Sequence, residues 1–224
     1  VKIIDVVQGT TEWKMARMGL PTASQFGRII SAKTLKPLAG AEGYIHELLV
    51  ESLLGYCESE DASDFMERGK EFEESAVAAY ELEMDCDVQR VGFITNDAGT
   101  IGCSPDGLVG DNGGVEFKVP SAKKHLEYFL NTGDIGAYAP QVQGCLWLAE
   151  REWWDWRSWH PSLPPAKVRM ARDERFIGAL AAALAEFNDR LADAKARILA
   201  TGFVPVDLQP QRPEHGPIPS DILA

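Results

Sequence analysis

Three side chains carry the chemistry most directly: Asp106, Glu116 and Lys118 flank the run Gly110-Asp111-Asn112-Gly113-Gly114, whose residues tolerate positive φ and turn a chain back on itself. Folding the two arms into a hairpin brings Asp106 to a height similar to that of Glu116 and Lys118. On the second arm, period-two alternation puts Val115, Phe117 and Val119 on one face and Glu116 and Lys118 on the other. The apolar set packs and the charged pair is presented together. Two carboxylates converging with a lysine suit hydrolysis of a phosphodiester. Their oxygens can hold Mg²⁺ at roughly 2.0–2.1 Å and leave room for water and phosphate, while the lysine orients or deprotonates the attacking water.

Other residues extend this site. In the helix expected from Asp64, the inward stripe runs Gly69, Phe72, Ala76, Tyr80, and Glu73 falls within it. A carboxylate among apolar neighbours needs a partner, either a metal or a cation such as Lys70 or Arg68. Gln141 shares a helix face with Tyr138, Cys145 and Leu148, which places an amide inward either as a ligand contact or as a satisfied core glutamine. Thr22-Ala23-Ser24-Gln25 has the form of a capping box. A helix start there, with Ser24 in the first turn and Arg17 nearby, would make a phosphate pocket, although capping alone also explains the residues.

These groups need a scaffold, and the chain is long enough to supply one. Its 224 residues, 45% hydrophobic and 25% charged, fit one large domain, read as residues 1–204, with a Pro-rich tail over 205–224. The balance of 22 basic and 34 acidic residues gives a net charge of −12, which argues against coating nucleic acid through bulk charge and leaves only a local basic channel. Four cysteines with no C-x-x-C pair support neither a zinc module nor a disulfide scaffold. With no signal-like start and no apolar run of membrane-spanning length, a reducing cytoplasm without membrane attachment is expected.

Periodicity predicts helices over 22–30, 42–54, 64–82, 122–130 and 138–149, and a long amphipathic helix marked by Ile177, Leu180, Leu184, Phe187, Leu191, Ala194 and Ile198. Strands are expected over 88–95, 100–109, 114–119 and 152–160. In the last of these Trp154 and Trp156 share one face and Trp153 and Trp159 the other, which points to packing rather than base stacking. The order of elements predicts an α/β (α+β) fold, a small mixed central sheet flanked by helices.

Pro105-Asp106 followed by Glu116-x-Lys118 is the pattern of the PD-(D/E)xK nuclease superfamily, whose core is restriction-endonuclease-like. Further motifs narrow this. Trp13-x3-Arg17-x-Gly19-x2-Thr22-Ala23-Ser24, Gly69-Lys70-x2-Glu73, Cys103-Ser104-Pro105-Asp106-Gly107, Glu116-x-Lys118-x-Pro120 and Tyr138-x2-Gln141-Val142-Gln143 together resemble, in order, the lambda-exonuclease family of phage recombination nucleases. The likeness runs over most of 13–203.

That resemblance implies a 5′ to 3′ exonuclease that degrades one strand of linear duplex DNA with Mg²⁺, Mn²⁺ being a substitute, and leaves a 3′ single-stranded tail. It implies that Asp106, Glu116 and the main-chain carbonyl of Phe117 hold the principal ion, that Glu73 helps a second, and that Lys118 positions or activates the water. Arg17, Ser24, Ser104 and Gln141 match positions that grip the terminal 5′-phosphate, and Met66 falls where the family places an apolar wedge. A ring-shaped homotrimer and a single-strand annealing protein as partner are implied in the same way. Two rivals remain: a structure-specific or restriction-type endonuclease with the same site, and a non-catalytic scaffold that binds DNA ends.

Overall fold

The computed structural model describes residues 1–56, 64–131 and 135–206, with the backbone alone over 64–71. In chain order the elements are β1 (Lys2–Ile4), α1 (Thr11–Arg17), a 3-10 helix (Ala23–Arg28), α2 (Ala41–Leu54), α3 (Asp64–Met84), β2 (Val88–Gln89), β3 (Phe93–Thr95), β4 (Gly102–Cys103), β5 (Gly107–Val109) and β6 (Gly113–Lys118). There follow α4 (Ala122–Leu130), a 3-10 turn (Gly136–Tyr138), α5 (Ala139–Leu148), β7 (Trp153–His160), β8 (Leu163–Ala171) and α6 (Glu174–Leu199). Met66 lies on α3, but its side chain is outside the described residues, as is the Pro-rich stretch from 207 onward.

The expected mixed sheet is present as five strands in the order β2-β5-β6-β7-β8, antiparallel except for the parallel pair β6–β7. A parallel neighbour needs a long crossover, which α4 and α5 supply. A smaller antiparallel sheet, β1-β3-β4, stands beside it.

The two strands expected over 88–95 and 100–109 are each divided between these sheets. Gly92 separates β2 from β3 where a Cβ would lie 2.0 Å from the Val6 carbonyl oxygen, so the backbone passes too close for any side chain. Pro105 separates β4 from β5, and proline brings no N–H to a ladder. The strand β8 went unanticipated because Pro164 and Pro165 argue against a strand, yet β8 is an edge, where proline is tolerated.

Apolar side chains fill both faces of the larger sheet. Trp154 and Trp156, almost wholly buried, join α2, α5 and α6 in the main core through Leu48, Leu146, Leu180 and Phe187. On the opposite face Val115 and Phe117 meet Ala76, Val77 and Tyr80 of α3, with Trp153 and Trp159 at the margin. The two faces of the Trp-rich strand therefore divide as its alternation predicts. A buried polar link fastens α3 down: Asp155 of β7 accepts the Tyr80 hydroxyl at 2.9 Å and Arg169 Nε and Nη2 at 2.7 Å each. Burial would raise the Asp155 pKa, but these donors outweigh it and hold the carboxyl below the usual range.

Candidate active site

The turn at Gly110 joins β5 to β6, with Gly107 opposite Val115, so Asp106 sits one residue beyond the last rung of the ladder. There its Oδ2 accepts the Phe117 N–H at 2.6 Å, taking the place that a longer β5 would have filled with a carbonyl. Glu116, on the face of β6 away from Val115 and Phe117, is 3% exposed. Both donors that reach it meet the same oxygen: Lys118 Nζ at 2.5 Å and Gln141 Nε2 at 2.7 Å from Oε1. Among the described residues, Glu116 Oε2 is buried without any hydrogen-bond partner.

The electrostatics follow from this crowding. Burial, and then the charge of Glu116, push the Asp106 carboxyl well above the ordinary aspartate range, against the pull of Lys118 and the Phe117 N–H. Burial alone would lower the Lys118 pKa, but Glu116 and Asp106 overcome it and hold the ammonium above the usual lysine value. Two carboxylates thus share one lysine, and the excess negative charge faces an orphaned oxygen. A hard divalent cation fits that deficit, since it takes carboxylate oxygens and supplies the missing charge.

Glu73 stands apart. It is half-buried, as is Phe72 beside it in the stripe, while Ala76 and Tyr80 further along the same face are buried and Glu74 is exposed. Its partner is Arg90, in the loop after β2, whose Nη1 donates to Glu73 Oε1 at 2.7 Å and to the Asp106 carbonyl at 2.8 Å, while Nη2 reaches Glu74 Oε1 at 3.1 Å. Among the described residues no group of three or more acidic, histidine or cysteine side chains is gathered as a metal cluster. Arg90 is a site residue that the sequence did not reveal, because Gln89-Arg90-Val91 carries no motif and its partners are distant in the chain.

A second cluster forms around Arg17 at the end of α1. Its Nη1 donates to Ser104 Oγ at 2.7 Å and Nη2 to Thr22 Oγ1 at 3.4 Å, and its guanidinium lies 4.3 Å from the Trp13 ring centroid. Trp13 Nε1 donates to Ser104 Oγ as well, at 2.9 Å. Burial lowers the Arg17 pKa, yet arginine at this site stays cationic. Ser24 is exposed beside Thr22, with 3.3 Å between their hydroxyl oxygens. The capping box does not form: Thr22 makes no side-chain cap bond, and a six-residue 3-10 helix replaces the expected α-helix. The Thr22 hydroxyl is drawn to Arg17 and Ser24 instead.

Of the four residues matched to a phosphate grip, Arg17, Ser24 and Ser104 come together, while Gln141 reaches Glu116 from α5, which packs on the Ser24 segment. Ser104 precedes Asp106 by two residues, so the two clusters adjoin. Beside them, the Tyr138 ring centroid lies 5.2 Å from Lys118 Nζ, and its hydroxyl shares a 2.7 Å hydrogen bond with Tyr128.

Comparison with known proteins decides the family. A model of the YqaJ-like viral recombinase domain matches residues 12–152, more than half of the chain and all of both clusters. The chain belongs to the YqaJ-like viral recombinase family. Among solved structures, the alkaline exonuclease LHK-Exo from Laribacter hongkongensis is 30% identical, with a TM-score of 0.78 over 86% of this chain and 98% of that one. A phage-related exonuclease from Haemophilus somnus 129PT, 16% identical with a TM-score of 0.62 over 78% of this chain and 96% of that one, shares the fold. No curated protein sequence matches. For this YqaJ-like recombinase the lambda-exonuclease resemblance and the PD-(D/E)xK fold are thereby borne out, and membership supports a role as a DNA exonuclease. Among the described residues no helix is long and apolar enough to cross a membrane.

Proposed function

We propose that this chain is a Mg²⁺-dependent 5′ to 3′ exonuclease that removes nucleotides from one strand of linear duplex DNA, leaving 3′ single-stranded tails for annealing recombination. The observation that carries this reading is the buried, unpartnered Glu116 Oε2 beside Asp106, with Lys118 and Gln141 both held on the other oxygen. Asp106, Glu116 and the Phe117 carbonyl hold the principal ion, Glu73 assists a second, and Mn²⁺ is a substitute. The bound ion supplies charge neutralisation for the scissile phosphate.

The remaining steps belong to the chain. Lys118, whose ammonium the two carboxylates favour, positions or activates the attacking water and offsets phosphate charge. Arg17, with Ser24 and Ser104, receives the terminal 5′-phosphate, and the Arg17 guanidinium is already desolvated and stacked on Trp13 for it. Gln141 orients Glu116 and, on the helix that packs against the Ser24 segment, is the fourth residue of the phosphate grip. LHK-Exo has been solved in complex with dAMP, a nucleoside monophosphate of the kind that stepwise removal releases.

Residues 1–204 form the nuclease domain and 205–224 its tail, in a cytoplasmic protein that acts as a ring-shaped homotrimer with a single-strand annealing protein. Met66 acts as the wedge at the last base pair. The test uses linear duplexes labelled at either the 5′ or the 3′ end of one strand, beside a closed circle. Release of the 5′ label as mononucleotide with the circle intact is expected. Cutting of the circle would instead make the protein an endonuclease.

A further inference from the structure

Arg90 occupies a position that the catalytic assignment leaves unexplained. One of its nitrogens, Nη1, bridges the Glu73 carboxylate and the main-chain carbonyl of Asp106, at 2.7 and 2.8 Å, while Nη2 engages Glu74. Carboxylate and carbonyl oxygens are the ligands that a divalent cation takes, and here a side-chain cation sits between them. The Arg90 side chain is 40% exposed and that of Glu73 35%, so the pair lies at the site's open rim and can separate without unpacking the core. The Asp106–Glu116 centre differs, because its orphaned oxygen has no protein cation on it.

We propose that Arg90 competes with a second divalent ion for Glu73, so that the DNA-free protein takes one ion readily and a second only when the guanidinium is displaced. Arginine is well suited to leave for another anion, since its fork of donors matches a phosphate as well as a carboxylate. The inference rests on the metal-site reading above and adds the order in which the ions enter.

The experiment is Mn²⁺ binding to the full chain without DNA, followed by calorimetry and by the electron paramagnetic resonance of free Mn²⁺. The proteins compared are the wild type, Arg90→Gln, Arg90→Met, the double variant Arg90→Gln/Glu73→Gln, and Glu116→Gln. Expected are one strong site in the wild type, a second site strengthened about tenfold or more in both Arg90 variants, and loss of that gain in the double variant. Unchanged binding in both Arg90 variants would overturn the competition. Weakening of the first site in them would also overturn it, and would make Arg90 a positioning residue for Asp106. If Glu116→Gln loses the strong site while the Arg90 variants match the wild type, only this inference fails. Absence of Mn²⁺ binding in every protein would remove the metal-site reading and this inference with it.

Discussion

Gln141 Nε2 donates to Glu116 Oε1 over 2.7 Å, and this bond from α5 leaves the second carboxylate oxygen of Glu116 bare inside the protein. If Glu116 holds the proposed ion, a glutamine that fixes its carboxylate in this way would act on the metal without touching it. Gln141→Ala should therefore lower metal affinity or turnover by about 10–100-fold. Titration of Mn²⁺ into both proteins, with thermal melts to verify folding, provides the test; equal affinity and equal turnover would remove Gln141 from the site.

Arg17 is bound to Ser104 and stacked on Trp13, and the proposed function gives this cluster the terminal 5′-phosphate. A charge-assisted hydrogen bond is worth about 1.5–3 kcal/mol, so Arg17→Ala should cut the preference for phosphorylated over hydroxyl 5′ ends by about tenfold or more. General duplex binding should change far less. Equal losses on both end types, measured as kcat/KM, would contradict the assignment.

Asp106 carries a pKa raised by burial and by Glu116, so its ionised form is disfavoured in the folded, metal-free protein. Stability is then lost as pH rises from the ordinary aspartate value of about 3.9 through the raised one. At pH 8 with chelator, Asp106→Asn should melt above the wild type, by about 2–4 °C for each kcal/mol relieved. Mg²⁺ should shrink or reverse the difference. A variant that melts lower under chelation would contradict the electrostatic account.

Asp155 behaves with the opposite sign. Its carboxyl is held below the usual range by Arg169 and Tyr80, so the stability it contributes is complete above pH of about 4 and is lost as pH falls through its lowered pKa. Asp155→Asn should cost about 1–3 kcal/mol at neutral pH, a buried-pair loss reduced by the exposure of Arg169. The gap in melting temperature should narrow in acid; a gap that widens there would contradict the assignment.

What the sequence showed and what it concealed divide along physical lines. The Asp106, Glu116 and Lys118 constellation was legible because one hairpin turn and strand alternation bring them together within 13 residues, and the turn residues announce themselves. The Trp154 and Trp156 face and the stripe of α6 were legible by periodicity. Helix α1 was not, since seven residues carry too little periodicity. Arg90 and the contact of Trp13 with Ser104 were concealed because each spans a tertiary distance that no local pattern records. The capping box misled, since its threonine is claimed by Arg17.

The most direct test of the central claim is mononucleotide release from a linear duplex with one 5′-phosphate end and one 5′-hydroxyl end. Wild type and Lys118→Ala are compared, with Mg²⁺ or with chelator. The account predicts release from the phosphorylated end, its loss with chelator, and a drop of about 10²–10⁴-fold in Lys118→Ala with DNA and metal binding retained. Tight binding to ends without cleavage by the wild type, in Mg²⁺ or Mn²⁺, would contradict it and make the protein an end-binding scaffold.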